Sequence, residues 1–168
     1  RVGGGAGPRE AAERDARMIP AARASGLQSP GASPKRGPGW YDASGSTGGA
    51  LFVQGRVESG GARGLCDDVV GRGFVLCSHR GDPARSLTPA QRELFGSLGG
   101  VTAHVARDGA VRDLDGAYER WFAEHGAAVA LQRPDFAVYG TARSLADAGA
   151  LVDSLRARLD GREPPAAG

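Results

Sequence analysis

Lysine is almost missing from this sequence: Lys35 is the only one, so the basic side of the charge balance is carried by arginine. Twenty-one basic and 19 acidic residues leave a net charge of +2, and the arginines are scattered among Asp and Glu. A nucleic-acid interface would gather its basic residues into a stripe, often interleaved with aromatics, so nucleic acid is not an expected partner. There are two cysteines, Cys66 and Cys77, too few for a disulfide scaffold, which makes the cytoplasm the expected compartment. A working dithiol needs two thiols about a turn apart at a helix N-terminus. These two are eleven positions apart and no Cys-x-x-Cys occurs, so two buried structural thiols are expected and thiol redox chemistry is not. No apolar run approaches the ~20 residues of a membrane-spanning helix, and no basic-then-apolar leader opens the chain. The first residue is Arg1, not Met, as expected of a fragment or a processed product.

Other chemistries are equally short of residues. Cys77-Ser78-His79 offers one close ligand pair, while His104 and His125 stand alone; zinc wants four ligands, or three and an open position. The stretch from Gly3 to Pro8 has the glycines of a phosphate loop but no strand before it, and Pro8 stands at the third glycine position of a G-x-G-x-x-G. Adjacent Asp67 and Asp68 diverge by roughly 100° on a helix, which suits charging a helix N-terminus better than sharing a proton. Neighbouring strand positions put Ser78 and His79 on opposite faces, and Gly45-Ser46-Thr47-Gly48 is not a nucleophile elbow. The residues therefore predict no catalytic, cofactor-binding or metal-binding site.

What the chain has is glycine, 28 in all, crowded toward the start. Residues 1–49 read as a Gly/Pro/Ser-rich arm with one helical candidate over 9–24. Trp40 and Tyr41 are its expected anchors, because aromatics carry large apolar area. From Ala50 the texture is globular. Strands are predicted over 51–57, 73–78 and 101–106 from β-branched and apolar runs, with a short helix over 65–70. Thr88, Pro89 and Gln91 spell a capping box opening a helix that Gly99-Gly100 closes. Asp115 is the expected cap of the next helix, where Tyr118, Trp121 and Phe122 share a face before Gly126. A hairpin over 127–131 and 136–139 turns at Arg133-Pro134-Asp135. The helix opened by Ser144 lines up Leu145, Ala148, Leu151, Val152, Leu155 and Leu159. Parallel strands joined by helices, then a hairpin and a closing helix, predict an α/β fold with a mixed, thioredoxin-like sheet over 50–160, followed by a disordered tail over 161–168.

Four stretches also resemble a known family when taken in order. Glu13-Arg14-Asp15-Ala16-Arg17-Met18-Ile19 is similar to a helix that follows the FAD domain of class A flavoprotein aromatic hydroxylases. Leu51-Phe52-Val53-Gln54-Gly55-Arg56-Val57 resembles their L-F-P-Q-x-x-V, with Val53 for the proline. Gly64-Leu65-Cys66-Asp67-Asp68-Val69-Val70-Gly71-Arg72-Gly73-Phe74-Val75-Leu76 resembles L-D-D-x-x-G-x-G-F-x-L-L. Ala128-Val129-Ala130-Leu131-Gln132-Arg133-Pro134-Asp135 resembles A-V-L-V-R-P-D. The 3-(3-hydroxyphenyl)propionate hydroxylase group is the nearest in pattern, with phenol and polyketide hydroxylases as relatives; residues 25–49 carry no signature of it.

The resemblance implies a parent monooxygenase that uses FAD, NAD(P)H and O₂ to hydroxylate a phenolic ring. This chain would be its C-terminal thioredoxin-like domain, with structural and dimer-forming roles. Its partners would be the FAD and substrate domains of the parent and a second copy in a homo-oligomer. The family's dinucleotide fingerprint and G-D-A-A-H flavin motif have no counterpart here, so no family site residue is carried over. A stand-alone, redox-inactive thioredoxin-like binding module is the alternative, favoured by the complete set of elements from Ala50 to Leu159.

Overall fold

The computed structural model describes residues 40–42 and 47–161. The glycine-rich stretch over 3–8, the helix expected over 9–24, Lys35 and the tail beyond 161 lie outside them. The apolar run before Ser78 becomes β3 (Val75–Ser78), buried at every position, as a strand covered on both faces must be. Around it runs a seven-stranded sheet in the order β2 (Ala62–Leu65), β1 (Arg56–Ser59), β5 (Val111–Asp113), β4 (Val101–Ala106), β3, β6 (Val129–Gln132), β7 (Val138–Ala142). Strand β4 (Val101–Ala106) lies parallel to β3, while β6 (Val129–Gln132) runs antiparallel on its other side. Strand β7 (Val138–Ala142) continues antiparallel to β6.

Two layers of side chains hold helices to this sheet. One core joins Phe52, Val57, Val75, Cys77, Val105 and Val138 to Tyr118, Trp121 and Phe122. The other joins Leu76, Leu131 and Tyr139 to Phe95, Leu151, Val152 and Leu155. The split follows strand alternation: Val75 and Cys77 face the first core and Leu76 the second. Helix α2 (Pro89–Ser97) and helix α4 (Ala148–Leu159) cover the second face, and helix α3 (Ala117–Glu124) covers the first. Helix α1 is the single turn Cys66–Val69, with Asp67 and Asp68 in its first turn but no side-chain cap. No helix among the described residues is long and apolar enough to cross a membrane.

The capping box of α2 forms as its sequence predicts. Gln91 N–H donates to Thr88 Oγ1 at 3.3 Å, and Thr88 N–H donates to Gln91 Oε1 at 2.9 Å. Several local expectations are corrected. Residues 51–57 are not one strand: Leu51 makes an isolated bridge to Ala137, and the strand proper, β1 (Arg56–Ser59), begins five residues later. It turns at Gly60-Gly61, whose φ values of 56° and 84° fit the mirror-image turn that matches strand twist, into an unanticipated β2 (Ala62–Leu65). A short β5 (Val111–Asp113) between β1 and β4 was likewise not signalled.

A further correction concerns α3. Asp113, not Asp115, caps it: its carboxylate, in a side chain buried to 5% exposure, accepts from the amides of Ala117 (3.2 Å), Tyr118 (2.9 Å) and Glu119 (3.4 Å). The chain reaches that geometry because Gly116 takes a left-handed φ of 63°, which glycine adopts without a Cβ penalty. Asp115 turns outward and receives Arg56 instead. The helix after Ser144 opens as a 3₁₀ turn, Leu145–Asp147, before α4; Ser144 Oγ donates to Asp147 Oδ2 at 2.7 Å rather than capping.

Candidate functional site

Reactive thiols would be the first chemistry to look for beside a buried sheet, and the geometry opposes them. Cys66 and Cys77 are free and buried. Burial pushes both thiols up, Cys77 furthest, and Asp113 adds to the rise in each. A thiolate is the reactive form, so both are held in the unreactive one. The nearby Tyr118 phenol is itself pushed well up, chiefly by burial. The sequence expectation of two buried structural thiols matches where they sit.

The histidines are used for packing. His79 stacks on Phe122 with ring centroids 4.7 Å apart, and His125 stacks on Trp121 at 4.3 Å while its Nδ1 lies 2.7 Å from the Trp121 carbonyl. Burial and then the Arg80 guanidinium hold His79 below the usual imidazole range. His104 lies on β4, opposite Ser78 in the parallel ladder. Ser78 is fully buried, and its Oγ accepts from the Arg80 amide at 3.1 Å. No group of three or more His, Cys, Asp or Glu able to hold a metal occurs among the described residues. Asp67 and Asp68 both face Arg72, with the Asp68 contact at 2.6 Å.

A diphosphate-bearing cofactor such as FAD is commonly seated on free amides at a helix N-terminus. The helices α2 and α3 have theirs filled, whereas α4 opens through a 3₁₀ turn with no side-chain cap. Thr88 and Gln91 occupy the start of α2, and the Asp113 carboxylate occupies the start of α3, where a second anion would be repelled. Neither of these two helix starts therefore offers a free cradle for a diphosphate.

What the structure does build is a fastening. A strap over residues 40–42 and 47–52 lies along the outer edge of β7. The Asp42 amide donates to the Tyr139 carbonyl (2.7 Å), Gly49 to Val138 (2.6 Å), and Phe52 to Phe136 (2.8 Å), while Val138 returns a bond to Ala50 (2.7 Å). Two arginines clamp its start: Arg133 Nη1 donates to the Trp40 carbonyl at 2.6 Å, and Arg158 Nη2 to the Tyr41 carbonyl at 3.0 Å. Trp40 sets its edge toward Tyr139 at 6.4 Å, and Phe52 its edge toward Trp121 at 4.7 Å. Trp40 and Tyr41 are thus anchors, as their sequence suggests. The strap also satisfies a sheet edge that would otherwise invite pairing. Arg133 and Arg158 carried no signal of this role, because their targets are backbone carbonyls.

These features define a mixed α/β domain in which the two thiols are buried, His79 and His125 stack on aromatic rings, Asp113 caps a helix and the strap is tied to β7. Residues 49–158 match the model of the HcaD C-terminal domain, and the chain belongs to that family. It is 33% identical over 154 residues to a probable NADH-specific resorcinol 4-hydroxylase of Rhodococcus jostii (strain RHA1), an alignment covering 89% of this chain and 28% of that protein. It is 32% identical over 106 residues to a 3-(3-hydroxy-phenyl)propionate/3-hydroxycinnamic acid hydroxylase of Paraburkholderia xenovorans (strain LB400), covering 55% of this chain and 17% of the relative. Among solved structures, the flavin-dependent monooxygenase PieE, in complex with FAD and substrate, aligns with a TM-score of 0.50 at 27% identity, over 79% of this chain and 23% of PieE. The chain therefore spans less than a third of the length of each of these proteins.

Proposed function

We propose that this chain is the C-terminal structural domain of an FAD- and NAD(P)H-dependent monooxygenase that hydroxylates phenolic rings. The observation that carries the reading is the family match over 49–158 in a chain spanning only 28% of a hydroxylase 33% identical to it. FAD, NAD(P)H and substrate would be held by the remainder of the enzyme, which supplies the oxygenation chemistry. This domain would supply shape, stability and contacts, including self-association.

Within the reading, the sheet is thioredoxin-like. Supporting this are the order β4-β3-β6-β7, the parallel β3–β4 pair linked through α2, the antiparallel β6 and β7, and the closing helix α4. At the N-terminus of α2, where a dithiol of that fold would draw on the helix dipole, stand Thr88, Pro89, Ala90 and Gln91 instead.

Sequencing the gene upstream of the Arg1 codon and purifying the encoded chain tests the proposal. The expected product is a yellow flavoprotein whose NADH or NADPH oxidation is stimulated by resorcinol or 3-(3-hydroxyphenyl)propionate. A start codon immediately upstream, with no flavin-domain frame, would replace this reading with the stand-alone binding module. Sedimentation velocity across a concentration range tests self-association: a monomer throughout removes it.

A further inference from the structure

We propose that the outer side of the strap, around Trp40, Leu51 and the end of α4, is the face on which the flavin-bearing body of the same enzyme docks. The inference rests on the functional reading above, and it assigns that reading a surface.

Five large apolar side chains are exposed among the described residues: Trp40 (39%), Leu51 (75%), Leu65 (44%), Leu114 (38%) and Leu159 (43%). They fall into two groups. Leu65 lies opposite Arg56 in the β1–β2 ladder, and the Leu114 amide donates to the Arg56 carbonyl from the other side. That row is flanked by charge, because Arg56 engages Asp115 and Glu58 takes both Arg63 and Arg112. A mixed apolar and ion-paired sheet face of this kind is ordinary for an antiparallel ribbon exposed to water.

The second group differs. Tyr139 belongs to the core under α4, whereas Val138 belongs to the core under α3. Strand alternation puts Ala137 on the Tyr139 side, and a residue directly across a ladder shares its partner's face. Leu51, opposite Ala137, therefore projects on the α4 side, and Phe52 on the α3 side, where it meets Trp121. Trp40 sits against Tyr139 on that same α4 side, two positions along β7 from Ala137. Leu159 ends α4, next to the Arg158 that holds the Tyr41 carbonyl. Trp40 and Leu51 are thus on one face where the strap meets β7, and Leu159 closes the helix that covers that face.

The occupant follows from chain direction and length. The family is a C-terminal domain, and the resorcinol hydroxylase relative extends well beyond the 28% aligned here. Whatever precedes this domain is led to it through Trp40. The clamps from Arg133 and Arg158 fix that point on the domain surface, so the preceding body is tethered to this domain and meets this face at an effective concentration set by the intervening residues.

The test exploits the burial of both native thiols, which leaves an introduced surface cysteine as the reactive one in this domain. Leu51→Cys, Leu65→Cys and Leu114→Cys are made separately in the full enzyme. Maleimide labelling of each position is then timed by peptide mass spectrometry. Leu51 is the most exposed of the three here, yet the docked face should label at least about tenfold slower than the other two, because labelling then waits on local opening. The same variants in the 168-residue chain, at two concentrations, should label fastest at position 51.

Rapid labelling of Leu51→Cys in a full enzyme that carries flavin overturns the docking face and leaves the functional reading standing. A full gene product without a flavin body overturns both. Slow labelling at 51 in the 168-residue chain also overturns the inference. If it is independent of concentration, the cover is the chain's own first 39 residues; if it appears only at the higher concentration, the cover is a second copy.

Discussion

Replacing Asp113 by Ala should be among the most damaging polar substitutions in this domain, although nothing in the local sequence marks the residue. Its carboxylate is buried and accepts three backbone amides at the start of α3, at 2.9 to 3.4 Å. Loss of an ordinary N-cap costs about 0.5–2 kcal/mol, and hydrogen bonds to a charged acceptor contribute about 1.5–3 kcal/mol when their partners are left unsatisfied. The two figures describe the same loss from different sides, so about 2–3 kcal/mol is expected rather than their sum. The helix at stake carries Tyr118, Trp121 and Phe122 into the core under the sheet, so its loosening cannot stay local. For a domain near 115 residues, 1 kcal/mol moves the melting midpoint by roughly 4 °C, giving an expected fall of about 8–12 °C by circular dichroism or calorimetry. Asp113→Asn keeps one acceptor oxygen and should lose about half as much. Asp115→Ala, which removes an exposed pair with Arg56 and a long bond from the Arg56 amide at 3.3 Å, should lower the midpoint far less than Asp113→Ala. A midpoint for Asp113→Ala within about 1 °C of the parent, or a larger fall for Asp115→Ala, would refute the capping assignment.

Leu155→Ala, at a fully buried site shared with Leu76 and Tyr139, should cost about 2–5 kcal/mol by urea titration; a cost below 1 kcal/mol would mean the α4 interface is not packed as described. Cys66 and Cys77 should resist a thiol reagent in native buffer and react fully in denaturant. Their folded thiols are pushed up, so above about pH 8.5 the unfolded chain loses protons that the folded one keeps. Stability should therefore fall as pH rises through that range, and the Cys66→Ala/Cys77→Ala double variant should flatten the slope. His79 is held low, chiefly by burial and then by Arg80, with Glu119 opposing and His104 adding slightly. Between its folded value and about 6.5 the unfolded chain binds more protons, so stability contributed by the neutral ring is lost as pH falls through that window. Comparing urea midpoints of parent and His79→Gln at pH 7.5 and 5.5 should show a smaller acid loss in the variant; an equal loss would remove His79 from the account.

How much of the fold could be read from sequence depended on whether a residue's signal was local. Strand β3 was legible because four successive buried positions leave an uninterrupted apolar run, and α2 because Thr88, Pro89 and Gln91 announce their own hydrogen bonds. The β1–β2 hairpin was not, since its outer face carries Glu58, Arg63 and Leu65 and reads as loop. The available signal was Gly60-Gly61 between two short alternating runs. Asp115 reads as the α3 cap because helix-start rules look immediately before the apolar periodicity. The positive φ of Gly116 lets the cap come from two residues further back.

A catalytic centre and an interaction surface leave different traces in a sequence. Chemistry needs particular residue types at particular spacings, and their lack can be counted along the chain. A docking face needs only apolar area that folding leaves outside, and a fastening made of backbone bonds has no residue type at all. Leu51 in the sequence is one more strand-like leucine; only its position opposite Ala137, one place before the buried Phe52, turns it outward. Arg133 and Arg158 are two of many arginines until their guanidinium groups are found on the carbonyls of Trp40 and Tyr41. The aromatic pair was the legible half of that fastening, because side-chain area leaves a mark in composition, whereas the carbonyls that the arginines hold leave none.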